Sequence, residues 1–146
     1  MLHLAQSFAT FAATLFAGAA VYINLVEHPA RMGRSTEIAA WVWAPSYRRA
    51  TWMQAPLALT GGFAGTAAWW LSGELLWLMG AGLIGAVIPF TLLVIAPTHR
   101  ALLAPGRDLT SSETRELLDR WCKLHAVRSL FSLAASVIFL LQLVGG

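Results

Sequence analysis

From residue 4 to residue 26 the chain carries no charged side chain, and the pattern returns over 50–71, 75–96 and 126–144, the last run with Arg128 in its first turn. Each run approaches the roughly 20 residues needed to cross about 30 Å of hydrocarbon. Only Ser72-Gly73-Glu74 separates the second run from the third, which makes those two helices antiparallel neighbours. The first run lacks the positively charged start of a secretory signal and is too long for one, so it reads as a retained helix. Between the third and fourth runs, Thr110 or Ser111 can cap a short amphipathic helix, with Glu113 near its third position as in a capping box. The expected architecture is therefore all-α: a single integral membrane domain over residues 1–146, a four-helix bundle running up-down-up-down, with that short helix between spans 3 and 4.

Composition supports this picture. Of 146 residues, 58% are hydrophobic and 12% charged, about half the charged fraction of a soluble domain. A chain this small cannot hide so much apolar surface from water. A soluble enzyme and a disordered chain are excluded, and the single Cys122 excludes a disulfide scaffold. The formal charge is only +3, which gives no basis for a nucleic-acid partner; its placement matters more. All ten basic residues (Arg31, Arg34, Arg48, Arg49, Arg100, Arg107, Arg115, Arg120, Lys123 and Arg128) fall on the side of the long connections. The positive-inside rule makes that side cytoplasmic and both termini extracytoplasmic. Trp41, Trp43 and Tyr47 suit a membrane interface. The small-xxx-small pairs Gly61/Gly65, Ala81/Gly85, Gly82/Ala86 and Ala13/Ala17 let helices approach closely. Pro56 and Pro89 kink their spans or fall near an end. No convincing internal repeat is present, although Glu27-His28-Pro29-Ala30-Arg31 and Pro97-Thr98-His99-Arg100 occupy equivalent helix ends.

Candidate chemistry gathers at one depth. His28, His99 and His125 lie at the cytoplasmic ends of spans one, three and four, and span two adds Tyr47, Arg48, Arg49 and Gln54. Imidazole is suited to proton transfer near neutral pH and to metal ligation. One alternative is an ordinary headgroup-facing rim. Trp121, His125 and Arg128 follow helical spacing and share a face. Arg128 either snorkels to lipid phosphate or pairs inside the bundle, because a cation in a span is expensive. Asn24 and Gln54 either glue helices together or give the cytoplasmic half a polar pocket lined by Trp and Tyr. The three histidines are the only candidate ligands for a metal or haem, and nothing in their spacing fixes a geometry. Cys122 reads as an incidental interface residue.

These same residues resemble the anthrone oxygenase-like membrane family. The resemblance rests on Glu27-His28-Pro29-Ala30-Arg31 after a first span, Tyr47-Arg48-Arg49 with Gln54, and Pro89-Phe90-Thr91 followed by Pro97-Thr98-His99-Arg100-Ala101-Leu102-Leu103. It is completed by Leu117-Leu118-x-x-Trp121-x-x-Leu124-His125-x-x-Arg128. Family members often have Asn where this chain has His99, which leaves the role of position 99 open. The resemblance implies a small four-helix membrane protein, and some relatives oxidise anthrones to anthraquinones with O2 without flavin or nicotinamide. It implies His125 as base with His28 as the alternative, and Arg128, Arg31 and Arg48 as partners of a substrate anion. Trp121 and Tyr47 would stack on the rings, with Gln54, Asn24 and Thr98 completing the binding residues. No cofactor is required for such chemistry, while a metal or haem on His28, His99 and His125 stays open. The partners expected are a lipophilic small molecule and membrane lipid, with a homo-oligomer left open. The competing expectation is a non-catalytic membrane module that binds lipid, haem or a partner subunit at the arginine-rich rim. A small multidrug transporter is disfavoured, since Glu27 and Glu74 lie at span ends and no acid lies within a span.

Overall fold

The computed structural model describes residues 1–145, all-helical with no strand among them. The C-terminal Gly146, which belongs to the expectation about the termini, lies outside them. Helix α1 spans Leu2–Tyr22, α2 His28–Met32, α3 Thr36–Ser72, α4 Leu75–Phe90, α5 Ala96–Leu102 and α6 Ser112–Gly145. Two π-helical turns, Ile23–Glu27 and Thr91–Ile95, join α1 to α2 and α4 to α5. Each precedes a proline, Pro29 or Pro97. A proline ring removes one N–H and clashes with the carbonyl four residues back. Those carbonyls belong to Leu25 and Leu93, inside the π turns. Widening the helix there relieves the clash without ending the helix.

Two expected boundaries change. The separate amphipathic helix before span 4 does not form; its residues are the first turns of the continuous α6. Ser111 does cap that helix, its Oγ accepting from the Thr114 N–H at 3.2 Å. Thr114, not Glu113, therefore holds the third position, and Glu113 instead pairs with Arg107. With no proline or glycine between Ser112 and Arg128, nothing interrupts the helix. Likewise α3 starts well before residue 50, capped by Ser35, whose Oγ accepts from the Ile38 N–H at 3.4 Å. Pro45 and Pro56 lie inside α3, and Pro89 inside α4. The stretches Leu2–Met32, Leu75–Leu102 and Ser112–Gly145 are long and apolar enough to cross a membrane. The Gly, Thr and Trp content of α3 keeps it out of that set.

Helix α1 packs against α3 and α6, and α4 packs against the same two helices. The turn from α3 to α4 closes on Gly73, whose φ of +77° is the left-handed conformation that glycine adopts without strain. Near this turn the core is small-residue packing. A Cβ on Gly80 would stand 2.3 Å from the Phe139 ring, and one on Gly65 2.7 Å from it. Phe139 of α6 thus fills the space that these two glycines leave, stacked on Trp77 with centroids 5.2 Å apart. Gly61 lies beside it against Ile84 and the Ala13 backbone. The Gly82/Ala86 pair does not: Gly82 is exposed and a Cβ there would meet nothing. A second core, around Ile23, Trp43, Ile95, Leu118 and Trp121, lies toward the π turns. Large apolar side chains, among them Phe11, Trp52, Phe63 and Trp70, cover the outside.

Candidate functional site

The second core carries the polar residues. Trp121 stands at its centre, in T-shaped contact with Trp43 at 5.7 Å, with the His28 ring centroid 5.6 Å away and that of His125 4.9 Å away. The Trp121 indole N–H donates to His99 Nε2 at 2.9 Å. All three histidines are buried and surround the indole. Trp121 thus stands among the three imidazoles, for which a shared metal or haem was left open. Among the described residues no three His, Cys, Asp or Glu form a ligand group.

Each histidine has a different hydrogen-bond state. His99 has its Nε2 lone pair engaged by Trp121, and Tyr47 packs on its ring at 4.2 Å. Neither ring nitrogen of His28 meets a partner. His125 pairs through Nδ1 with Asn24 Oδ1 at 2.8 Å, and its Nε2 has no partner among the described residues. Beside His28, Glu27 accepts from both Arg31 and Ser46. That ion pair turns Arg31 inward, where its guanidinium lies 6.0 Å from the Trp121 ring centroid.

Arg128 is buried and neither snorkels nor meets a carboxylate. Its Nη2 donates to Gln54 Oε1 at 3.1 Å, and its guanidinium carbon lies 5.5 Å from the Phe16 ring centroid. Arg128 Nε and Gln54 Nε2 remain buried without partners. An unmade buried hydrogen bond costs about 1–3 kcal/mol, so these two donors suit an oxygen-bearing ligand. Both residues line a cavity of about 160 Å³ walled mainly by apolar side chains, including Phe16, Ala58, Val87 and Ile88. Thr51, Ala55 and Leu92 on its rim are exposed, so it opens on the outer surface between α3 and the second π turn. A smaller hollow adjoins it, sharing Tyr47, Thr51, Gln54 and Arg128 and adding Trp121 and His125. The arrangement places a cation, a side-chain amide and an imidazole at one end of an apolar slot.

Of the expected site residues, His125, Arg128, Gln54, Tyr47 and Trp121 line this pair of hollows. Arg31 and His28 pack against Trp121 but line neither hollow. Arg48 is exposed and lines neither hollow; one step along a helix turns the side chain about 100° away from Tyr47. Thr98 is buried but lines neither hollow. Asn24 has both ends of its amide bonded within the protein: Nδ2 donates to the Cys122 carbonyl at 3.1 Å, and Oδ1 also accepts from Ser129 at 2.6 Å. Trp43 joins the site, although its sequence position suggested only a membrane interface. It is buried and stacked on Tyr47 at 5.2 Å rather than sitting at an interface, while Trp41 is exposed. The four-residue spacing from Trp43 to Tyr47 carried that signal. Ser46, Ser129 and Phe16 had no such mark.

Residues 43–138 match the model of a family described as Anthrone oxygenase. Over 61 residues the chain is 48% identical to the anthrone oxygenase tpcL of Aspergillus fumigatus, covering 40% of this chain and 38% of that protein. Over 63 residues it is 49% identical to the anthrone oxygenase ptaC of Pestalotiopsis fici, covering 37% and 45% respectively. Over 66 residues it is 39% identical to the anthrone oxygenase gedH of Aspergillus terreus, covering 41% and 44%. The chain thus spans less than half the length of these relatives. No solved structure matches it. The family match takes in Trp43, Tyr47, Gln54, His99, Trp121, His125 and Arg128, while Asn24, His28 and Arg31 precede it.

Proposed function

The chain belongs to the anthrone oxygenase family, and from that premise we propose that it oxidises a lipophilic anthrone- or hydroquinone-like aromatic with O2 inside a membrane. The observation that carries this reading is Arg128: a buried guanidinium with no carboxylate partner, lining an apolar slot beside an imidazole. A buried cation is tolerated when an anion or a hydrogen-bonding partner meets it.

In this reading the four long helical runs form an up-down-up-down membrane bundle, with α3 crossing among three more apolar neighbours. The arginine-rich end faces the cytoplasm and the termini lie opposite. The apolar outer surface meets acyl chains, and the flat substrate enters sideways past Thr51, Ala55 and Leu92. Once bound, its carbonyl oxygen accepts from Arg128 and Gln54, and its ring lies against Phe16 and Tyr47.

The chemistry then balances with O2 as the only co-substrate. His125 Nε2 takes a proton from the ring methylene, and the resulting enolate is stabilised by Arg128. One electron passes from the carbanion to O2, and the radical pair joins to form a carbon–oxygen bond. The imidazolium protonates the peroxide; loss of the second methylene proton with O–O cleavage leaves a ketone and water. The CH2 carbon becomes C=O, one oxygen atom enters the quinone and the other leaves as water. The scheme assigns no step to a metal or haem, and metal analysis of the active sample checks that directly. The test is oxygen uptake by the purified protein with an anthrone, expected to be lost in His125→Ala with the fold retained. Uptake unchanged in His125→Ala contradicts the assignment of the base.

A further inference from the structure

Asn24 lies in the first π turn, and all of its amide hydrogen bonds are made within the protein. Its Nδ2 donates to the Cys122 backbone carbonyl at 3.1 Å and approaches Cys122 Sγ at 3.3 Å. A carbonyl only accepts, so this contact identifies which end of the amide is nitrogen. The other end, Oδ1, receives the Ser129 hydroxyl at 2.6 Å and His125 Nδ1 at 2.8 Å. An amide oxygen only accepts, so the hydrogen of that last bond belongs to the imidazole.

We infer that Asn24 is a positioning residue that fixes the tautomer of His125, holding its proton on Nδ1 and leaving Nε2 as a bare lone pair. The partners on either side of Asn24 come from α6: Cys122 precedes His125 by three residues and Ser129 follows it by four. The amide therefore clamps the imidazole to its own helix, while Trp121 packs on the ring at 4.9 Å. The other two histidines lack this combination. His99 has its lone pair engaged by Trp121, and His28 has no partner to choose a tautomer for it. The π turn supplies the reach, because the proline-relieving widening over Ile23–Glu27 occurs where Asn24 must meet α6. A hydrogen bond at one ring nitrogen selects what the other presents. The catalytic consequence rests on the reading of His125 as the base; the tautomer itself does not.

The experiment uses the full chain in lipid nanodiscs with 15N-labelled imidazoles, at about pH 8 where an imidazole is neutral. Nitrogen chemical shifts then show which ring atom bears the proton. In the wild type, His125 is expected to be protonated at Nδ1 and bare at Nε2. Asn24→Ala should turn this into a mixture of tautomers, and Asn24→Asp, which keeps an acceptor at the same place, should restore the wild-type signature. His99 should keep its own signature throughout, as a control for the fold. With an anthrone as substrate, kcat for oxygen uptake should fall about tenfold or more in Asn24→Ala, with KM little changed and most of the rate recovered in Asn24→Asp. A wild-type His125 protonated at Nε2, or a tautomer indifferent to Asn24→Ala while His99 holds, overturns the inference. The expected tautomers with unaltered uptake sustain the inference and remove instead the base role of His125.

Discussion

At one end of the molecule the helices meet through alanine and glycine around the Phe139 ring. At the other they meet around Trp43 and Trp121, with Gln54, His125 and Arg128 buried among them. Helices α3 and α6 run through both ends, while the two π turns and α5 complete the second. Small residues permit close backbone approach and bring no polar group to the contact. Indole and imidazole rings fill the second contact, and the polar atoms they carry need partners that packing only partly supplies. The first end should govern stability and the second activity.

Substitutions can separate the two. The largest effect expected is on the polar end: His125→Ala should lower kcat for anthrone oxidation by about 10²- to 10⁴-fold, measured as oxygen uptake, with little change in unfolding temperature. The opposite profile is expected for Gly80→Ala. Its new Cβ meets the Phe139 ring at 2.3 Å, and such overpacking costs about 1–3 kcal/mol. That should appear as a lower unfolding temperature, with the folded fraction fully active; Gly82→Ala, in open space, serves as the silent control. A smaller effect is expected for Arg48→Ala, which should change uptake less than about twofold, in line with near-neutral surface substitutions. The smallest concerns the turn before α6. Thr110 donates its N–H and hydroxyl to Asp108 at 2.8 and 2.6 Å, which hold that carboxyl below the usual carboxylate range. Its contribution is present at neutral pH and lost as pH falls through the lowered value. Amide exchange at Thr110 should therefore quicken, beyond its intrinsic pH dependence, only in acid.

The dry end was largely legible in the sequence. Gly61/Gly65 and Ala13/Ala17 carry their spacing openly, and the three-residue Ser72-Gly73-Glu74 turn makes α3 and α4 neighbours. At the polar end residue types were legible but partners were not. Helical spacing put Trp121, His125 and Arg128 on one face, yet the bonds that set their chemistry come from Asn24 and Gln54 on other helices. No periodicity marks the π turns: they precede Pro29 and Pro97, while Pro45, Pro56 and Pro89 sit in uninterrupted α-helix. Arg48 was misplaced because depth along a helix says nothing of direction around it. Trp43 and Trp41 are two residues apart and face opposite ways, one into the core and one outward.

The central claim is that the buried, carboxylate-free guanidinium stabilises a substrate anion. It is tested most directly by oxygen consumption with an anthrone, comparing the wild type with Arg128→Met in the same nanodiscs. The expected wild-type result is one O2 consumed per quinone formed, with the rate falling about 10²- to 10³-fold in the variant. Its unfolding temperature should be equal or higher, since an apolar side chain replaces a buried charge. A variant that oxidises anthrone as fast as the wild type contradicts the claim.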